Sequence, residues 1–319
     1  MSEQFDQQVV VPDELGAKRF DQIAAACFPD FSRARLQEWI KNGDLLVNGE
    51  KRKPKEKLIG GETLSLSVVV EDAEHWEAEE IPLDIVYEDD DILVINKPAG
   101  LVVHPAAGNR SGTLLNGLLF HYSDLASVPR AGIVHRLDKD TTGLMVVAKN
   151  LAAHTDLVAQ LQERSVSREY EAITYGVMTA GGTVDQPIGR HATNRLKMAV
   201  TAGGKPSVTH YRVLQKYRNH THIRCKLETG RTHQIRVHMS HIRYPLFGDE
   251  TYAGRLRLPK GCTEEMIAQL RLFRRQALHA RRLGLIHPAT GEFMEWEAPL
   301  PDDMVSLLAT LEEDASSMK

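Results

Sequence analysis

Residues 71–81, EDAEHWEAEEI, cut the chain in two. The wider stretch 71–91 holds eleven acidic residues and no Lys or Arg, and so little apolar surface that it suits a linker or a solvated strand better than a core. Apolar patterning resumes on both sides. With 319 residues, against roughly 100–200 per domain, two domains are expected. The divisions read from the pattern are a polar N-terminal segment (1–17), a small α/β module (18–75), an acidic linker (76–81), a large domain (82–310) and a C-terminal tail (311–319).

The 42% hydrophobic and 26% charged composition is that of a folded globular protein, which excludes global disorder and collagen-like repeats. No apolar run approaches the ~18 residues that would span a bilayer, so no membrane role is expected. Met1 to Asp6 is polar and acidic, unlike a secretory or transit peptide. Cys27, Cys225 and Cys262 are odd in number and far apart, which points to a reducing cytoplasm.

The formal charge of −4 hides an asymmetry. Residues 92–301 carry 28 basic and 16 acidic side chains, plus thirteen of the fourteen histidines. Residues 18–58 carry ten basic and six acidic. A basic body with acidic connectors can dock on a polyanion, because the local field decides binding; unevenly scattered surface charge is the alternative.

In the small module, Phe20, Ile23, Ala24 and Cys27 recur at helical spacing, and Pro29 stops that helix. Ser32 is read as the cap of a second helix bearing Leu36, Trp39 and Ile40, with Gly43 past its end. Leu45–Val47 reads as a strand, Asn48-Gly49 as a tight turn and Leu64–Val70 as another strand. In the large domain, Ile92–Ile95 is a buried-strand candidate with Leu101–Val103 as its hairpin partner. Thr113–Phe120 fits a helix, Leu144–Ala148 a strand, and Asn150 caps a further helix. Strands near Tyr170–Thr174, Val208–Val213 and His222–Leu227 follow. Strands outnumber helices and do not alternate regularly with them, so the fold class expected is α+β, with a mixed, largely antiparallel sheet and flanking helices.

Three polar clusters could carry chemistry. His135-Arg136-Leu137-Asp138-Lys139-Asp140-Thr141-Thr142-Gly143 lies between apolar segments that would hold it rigid. Leu227–His238 (LETGRTHQIRVH) packs two arginines and two histidines into eight residues. Arg231 and Arg236 cannot lose their charge, so they are anchors for carboxylate or phosphate and not proton carriers. Arg168-Glu169-Tyr170-Glu171 puts one aromatic among charges. A metal site built from His135, Asp138, Asp140, His233 and His238 is disfavoured by Arg136, Lys139 and Arg231 beside it. Gly203-Gly204-Lys205 lacks the spacing of a phosphate loop, and no cysteine sits in a polar cluster. Asp140 is read as an Asx-turn to Thr142, whereas Asp138, flanked by basic residues, reads as an ionised nucleophile.

The segments HRLDKDTTG, REYEA and LETGRTHQIRVH resemble those of the RluA-type pseudouridine synthase family, and YPLFGD (Tyr244–Asp249) and ALHA (Ala277–Ala280) match as well. Residues 18–75 resemble an S4 RNA-binding module, through the SRARLQEWI helix and the LVNG turn. The resemblance implies that Asp138 is the catalytic aspartate, that Tyr170 lies against the target base, and that Arg236 pairs with Asp138, with Arg231 as the alternative occupant. It implies that Arg136 enters the RNA, aided by His135 and Arg231. Arg33, Arg35, Lys51, Arg52 and Lys53 of the small module would neutralise phosphates without reading sequence.

The implied reaction turns uridine into its C-glycoside isomer. It adds no group and changes no redox state, so no cofactor or metal is expected. The substrate expected is large-subunit ribosomal RNA, free or in an assembling subunit, taken by a monomer. A transfer-RNA synthase, a non-catalytic RNA-binding or assembly factor, and a nucleoside or glycoside hydrolase are the alternatives.

Overall fold

The computed structural model describes residues 3–29, 31, 33–70, 76–105, 109–194 and 197–317. The chain forms two compact units, Met1–His75 and Trp76–Lys319.

The first unit packs two helices, α1 (Phe20–Cys27) and α2 (Arg33–Asn42), with a three-stranded antiparallel sheet in the order β1-β3-β2. The strands are β1 (Glu3–Val10), β2 (Leu45–Val47) and β3 (Thr63–Val70). Helical spacing turns Phe20, Ile23, Leu36 and Ile40 inward onto Leu45 and Leu64, all fully buried. Asn48 and Gly49 both have positive φ, as the two-residue hairpin turn requires. The cap position Ser32 lies outside the described residues, as do residues 71–75 of the acidic stretch.

Three boundaries differ from the expectation. Residues 1–17 are not a polar lead-in, because β1 pairs with β3 along its whole length, from Glu3↔Val70 to Val10↔Thr63. Its stability comes from backbone ladder bonds and from alternate residues such as Phe5, whose ring meets Phe31 edge-on at 5.0 Å; composition does not register either. Residues 76–81 belong to the second unit and do not link the two. Trp76 packs on its core, Glu79 N–H donates to the Asn116 carbonyl, and Asn116 Nδ2 donates to the Glu77 carbonyl. The C-terminal stretch is no tail either: helix α7 (Asp302–Ser317) runs through it and buries Leu311 completely.

The second unit is built on a nine-stranded sheet. In chain order its elements are β4 (Ile85–Glu88), β5 (Ile92–Lys97), α3 (Leu114–His121), β6 (Thr142–Ala148), α4 (Leu151–Glu163), β7 (Ser167–Tyr175), β8 (Gly182–Asp185), β9 (Ile188–Arg190), β10 (Met198–Val200), β11 (Val208–Lys216), β12 (His220–Leu227), α5 (Gln234–His241), α6 (Glu264–Leu272), β13 (Leu278–Ile286), β14 (Phe293–Glu297) and α7. The sheet order is β4-β5-β6-β13-β7-β12-β11-β8, with β14 pairing on β13, while β9 and β10 form a separate hairpin ladder. Every pairing is antiparallel except β13 with β6, so the sheet is mixed and largely antiparallel. Leu101–Val103 does not form a hairpin with β5, whose neighbours are β4 and β6; the Val102 and Val103 carbonyls instead accept the Leu114 and Leu115 amides at the start of α3.

The β13–β6 crossing is tight. Gly143 sits at φ +112°, and a Cβ there would lie 2.3 Å from the Ala280 carbonyl oxygen, so only glycine fits at the end of the 135–143 motif. No helix among the described residues is long and apolar enough to cross a membrane.

Removing residues 1–10 is expected to destabilise the first unit by about 2 kcal/mol or more, the worth of burying Phe5 and Val9, and to deprotect the β3 amides. Hydrogen exchange reads this directly; unchanged protection in β3 would mean that β1 adds no stability.

Candidate active site

The site assembles where the loop before β6, the strand β7 and the start of α5 meet. Ile133 bridges Val147 on one side of the loop, and β6 continues from Thr142 on the other. Between these anchors the Thr141 amide donates to the Asp138 carbonyl, closing a backbone turn in place of the Asx-turn expected at Asp140. Three side chains then hold the loop from outside. Lys97 Nζ donates to the Lys139 carbonyl at 2.9 Å and to the Pro98 and Leu101 carbonyls. Arg275 Nη1 donates to the Asp140 carbonyl, and Gln276 Nε2 donates to Thr141 Oγ1.

Arg236 lies in the first turns of α5, and Gln234 fixes where that helix starts. The Gln234 amide uses both ends: Oε1 accepts from Thr229 Oγ1 and the Arg231 amide, while Nε2 donates to the Val208 carbonyl and Thr209 Oγ1. Arg236 Nη1 donates to Asp138 Oδ2 at 2.9 Å. Its Nε and Nη2 grip Asp249 as a fork, at 2.7 and 2.9 Å. Burial works against the guanidinium charge, but the bonds to Asp249 and then Asp138 outweigh it and raise the Arg236 pKa. Arg231 does not take this place; its Nε donates to the Pro206 carbonyl.

Asp138 stands where two cavities meet. The larger, about 750 Å³, is also lined by Tyr170, Arg168, Leu227, Val103 and Ile133. The smaller, about 420 Å³, is lined by Asp138, Arg236, Asp249 and Arg274. Arg136 is exposed and lines both. Arg130, Arg164 and Arg231 add further cations to the larger one. The Tyr170 hydroxyl has its pKa raised, by burial first and by Asp138 as well, so the ring is a neutral wall.

Two histidines serve the site as neutral groups. His135 Nε2 accepts the Val146 amide, which fixes the loop to β6, and burial lowers its pKa to about 3. His233 Nε2 lies 3.7 Å from Asp138 Oδ1, and its Nδ1 is 2.7 Å from the Tyr252 hydroxyl. Burial lowers the His233 pKa too. The Tyr252 oxygen also accepts the Met198 amide.

In the first unit, Arg33 is drawn to the buried Asp21 at 2.8 Å, where Arg19 and Gln37 also donate, so it ties α2 to α1 before it can meet any phosphate. Arg35 stacks over the Trp39 ring. Lys51, Arg52 and Lys53 are exposed.

The metal reading of His135, Asp138, Asp140, His233 and His238 finds no cluster: among the described residues only Asp89, Asp91 and His287 converge at metal-ligand spacing, and none of them lines either cavity. Sequence reasoning missed Lys97, Asp249, Tyr252 and Arg275 as parts of the site. For Asp249 the signal was present in the YPLFGD segment; Lys97 and Arg275 gave none, since their role depends on which carbonyls the fold brings to them.

A family described as RNA pseudouridylate synthase matches residues 91–241, a span that contains Asp138, Tyr170 and Arg236. A protein of Pseudomonas aeruginosa named ribosomal large subunit pseudouridine synthase D is 61% identical over 314 residues, covering 98% of both chains. Its namesake from Haemophilus influenzae is 60% identical over 306 residues, 96% of this chain and 94% of that one. Among solved structures, human RNA pseudouridylate synthase domain containing 4 superposes with a TM-score of 0.56 at 29% identity, covering 72% of this chain and 92% of its own. Human RNA pseudouridylate synthase domain containing 1 gives 0.55 at 29%, with 73% and 89% covered. This chain belongs to the RNA pseudouridylate synthase family, and is thus an isomerase of uridine in RNA.

Lys97 yields a test of the loop's support. Burial lowers its pKa from 10.5 to about 8. Between those values the unfolded chain binds the extra proton, so stability should rise with pH from about 8 to 10.5, by roughly 3 kcal/mol at most. Denaturant titrations across that range should show the slope in the native protein and its loss in Lys97→Met; equal slopes would refute the assignment.

Proposed function

We propose that this protein converts specific uridines of large-subunit ribosomal RNA to pseudouridine, with Asp138 as the catalytic carboxylate. The ion pair of Asp138 with the buried Arg236, at the junction of two cavities and in the company of Tyr170, carries the reading. The choice of large-subunit RNA is supported by the names of relatives at about 60% identity over nearly the whole chain.

The target uridine leaves its stack at a cost of a few kcal/mol and enters the larger cavity. Tyr170 provides an apolar face for the base and excludes water, which would otherwise capture the cleaved sugar and leave an abasic site. Asp138 reaches the sugar and base from the loop, and Arg236 sets the direction of its free oxygen by holding Oδ2. The parallel is with the carboxylates of retaining glycosidases, except that the base itself is the final acceptor. Arg136, exposed on both cavities, fills the place the nucleotide leaves and contacts the backbone with Arg231. Recognition rests on loop shape and unstacked bases. The first unit serves as an S4-like RNA-binding module in which Arg35, Lys51, Arg52 and Lys53 meet phosphates, Arg33 contributing from its ion pair with Asp21. Being tethered, it raises the effective RNA concentration at the site. The protein acts in the cytoplasm as a monomer.

Asp138→Asn should keep fold and RNA affinity while lowering pseudouridine formation more than about 1000-fold, as removal of a central catalytic group does elsewhere. Incubation with unmodified ribosomal RNA and quantification of pseudouridine by mass spectrometry is the check; substantial product from the variant would discard Asp138. Replacing Lys51, Arg52 and Lys53 together by Gln should weaken RNA binding uniformly across sequences. The slope of log affinity against log salt should fall by about 0.7 for each phosphate that is no longer neutralised. An unchanged slope would remove these residues from the interface.

A further inference from the structure

Arg168 is the one buried cation of the site that the chemistry above does not use. It is 7% exposed, and it lines the larger cavity together with Asp138 and Tyr170. Its Nε has no hydrogen-bond partner, and among the described residues no carboxylate pairs with it. The other two deeply buried arginines of the site are both neutralised, Arg236 by Asp138 and Asp249 and Arg275 by Asp303. Leaving a guanidinium buried and unpaired costs several kcal/mol, so the position is poor for stability alone.

The surroundings place that charge beside Tyr170. Arg168 and Tyr170 are two apart on β7, so both side chains leave the same face of the sheet, with Cα atoms about 7 Å apart. The Arg168 charge acts on the Tyr170 phenol, and so does Asp138. Across the guanidinium lies Gly230, where a Cβ would come within 2.5 Å of Arg168 Nη1. The chain keeps a glycine where any larger residue would press on the guanidinium.

We infer that Arg168 is a further catalytic residue, whose guanidinium donates hydrogen bonds to a carbonyl oxygen of the uracil and stabilises the negative charge that the base acquires when its bond to the sugar breaks. This rests on the synthase reading. When C1′–N1 breaks, the bonding pair goes to the base and spreads over N1, O2 and O4. C5 then forms its bond to C1′, the C5 proton is lost, N1 takes up a proton, and the base is neutral again. The substrate uridine and the product carry no such charge, so an aligned unpaired cation favours the transition state over both. A phosphate is the other anion an arginine fork accepts, but Arg130, Arg136, Arg164 and Arg231 are more exposed on the same cavity and better placed for a backbone that stays outside it.

The experiment compares native protein, Arg168→Met and Arg168→Lys in single-turnover assays on ribosomal RNA, with RNA affinity, its salt slope and thermal stability measured in parallel. The inference expects Arg168→Met to lose about 100-fold or more in rate. Affinity and salt slope should stay unchanged, the melting temperature should be equal or higher, and Arg168→Lys should recover part of the rate. A rate within about threefold of native would overturn it. A loss of affinity and of salt slope with the saturated rate kept would make Arg168 a phosphate contact. A fall in melting temperature with no recovery by lysine would make it structural; either result refutes the inference. A native protein that forms no pseudouridine would instead sink the synthase reading itself.

Discussion

The site depends on one guanidinium shared by two carboxylates. Arg236 is 6% exposed and Asp249 2%, while Asp138 keeps a fifth of its side chain open to the cavities. The division of labour follows from geometry. The fork on Asp249 takes Nε and Nη2 and sets the plane of the guanidinium, so that Nη1 has one direction left, towards Asp138. Asp249 thus makes Arg236 rigid, and Arg236 makes Asp138 rigid. The Tyr252 ring, 5.1 Å from the guanidinium, closes a further side. A lone Asp–Arg pair on a loop would fix neither partner; three charges with two positive-to-negative contacts fix all of them.

That arrangement joins residues 98 apart in the chain and needs the sheet to bring them together. The loop bearing Asp138 leads into β6, and β6 lies beside β13, which lies beside β7 with Tyr170. The parallel β6–β13 contact, made possible by Gly143, sets the spacing between Asp138 and Tyr170. Lys97 from β5 and Arg275 from the segment before β13 then tie the loop's carbonyls from two sides.

Much of this was legible in the sequence where local chemistry decides. The helices α1 to α4 followed from apolar spacing and caps, the Asn48-Gly49 turn from its need for positive φ, and the Asn150 cap from its side chain, which accepts the Ala153 amide. The Asp138 loop stood out as a polar cluster between apolar segments, whereas the pairing of Arg236 with Asp138 was implied by the family resemblance. What was not legible rests on long-range pairing. Strand β1 looks polar because one of its faces is solvated, and only its partner β3 makes it a strand. Residues 76–81 look like a linker because their contacts with α3 run through backbone groups that composition cannot report. Arg168 looked like one charge among several beside Tyr170, since whether a charge has a partner is a property of the fold.

The histidines show the same distinction in electrostatic form. Thirteen of them crowd the basic span and, counted in sequence, promise a field that strengthens as pH falls. Burial removes most of that promise at the core: His135 is lowered to about 3, His220 and His279 to about 4, and His233 and His238 are lowered too. His135, His233, His238 and His279 act as neutral hydrogen-bonding groups that lock backbone and side chains in place. The cations lining the larger cavity beside His135 and His233 are arginines, Arg130, Arg136, Arg164, Arg168 and Arg231, whose charge is constant over the physiological range. A carboxylate at the centre, fixed cations around it and neutral imidazoles behind it separate the two tasks. The fixed cations do not titrate over that range, and the packing enforces the neutrality of the imidazoles that hold the site's geometry.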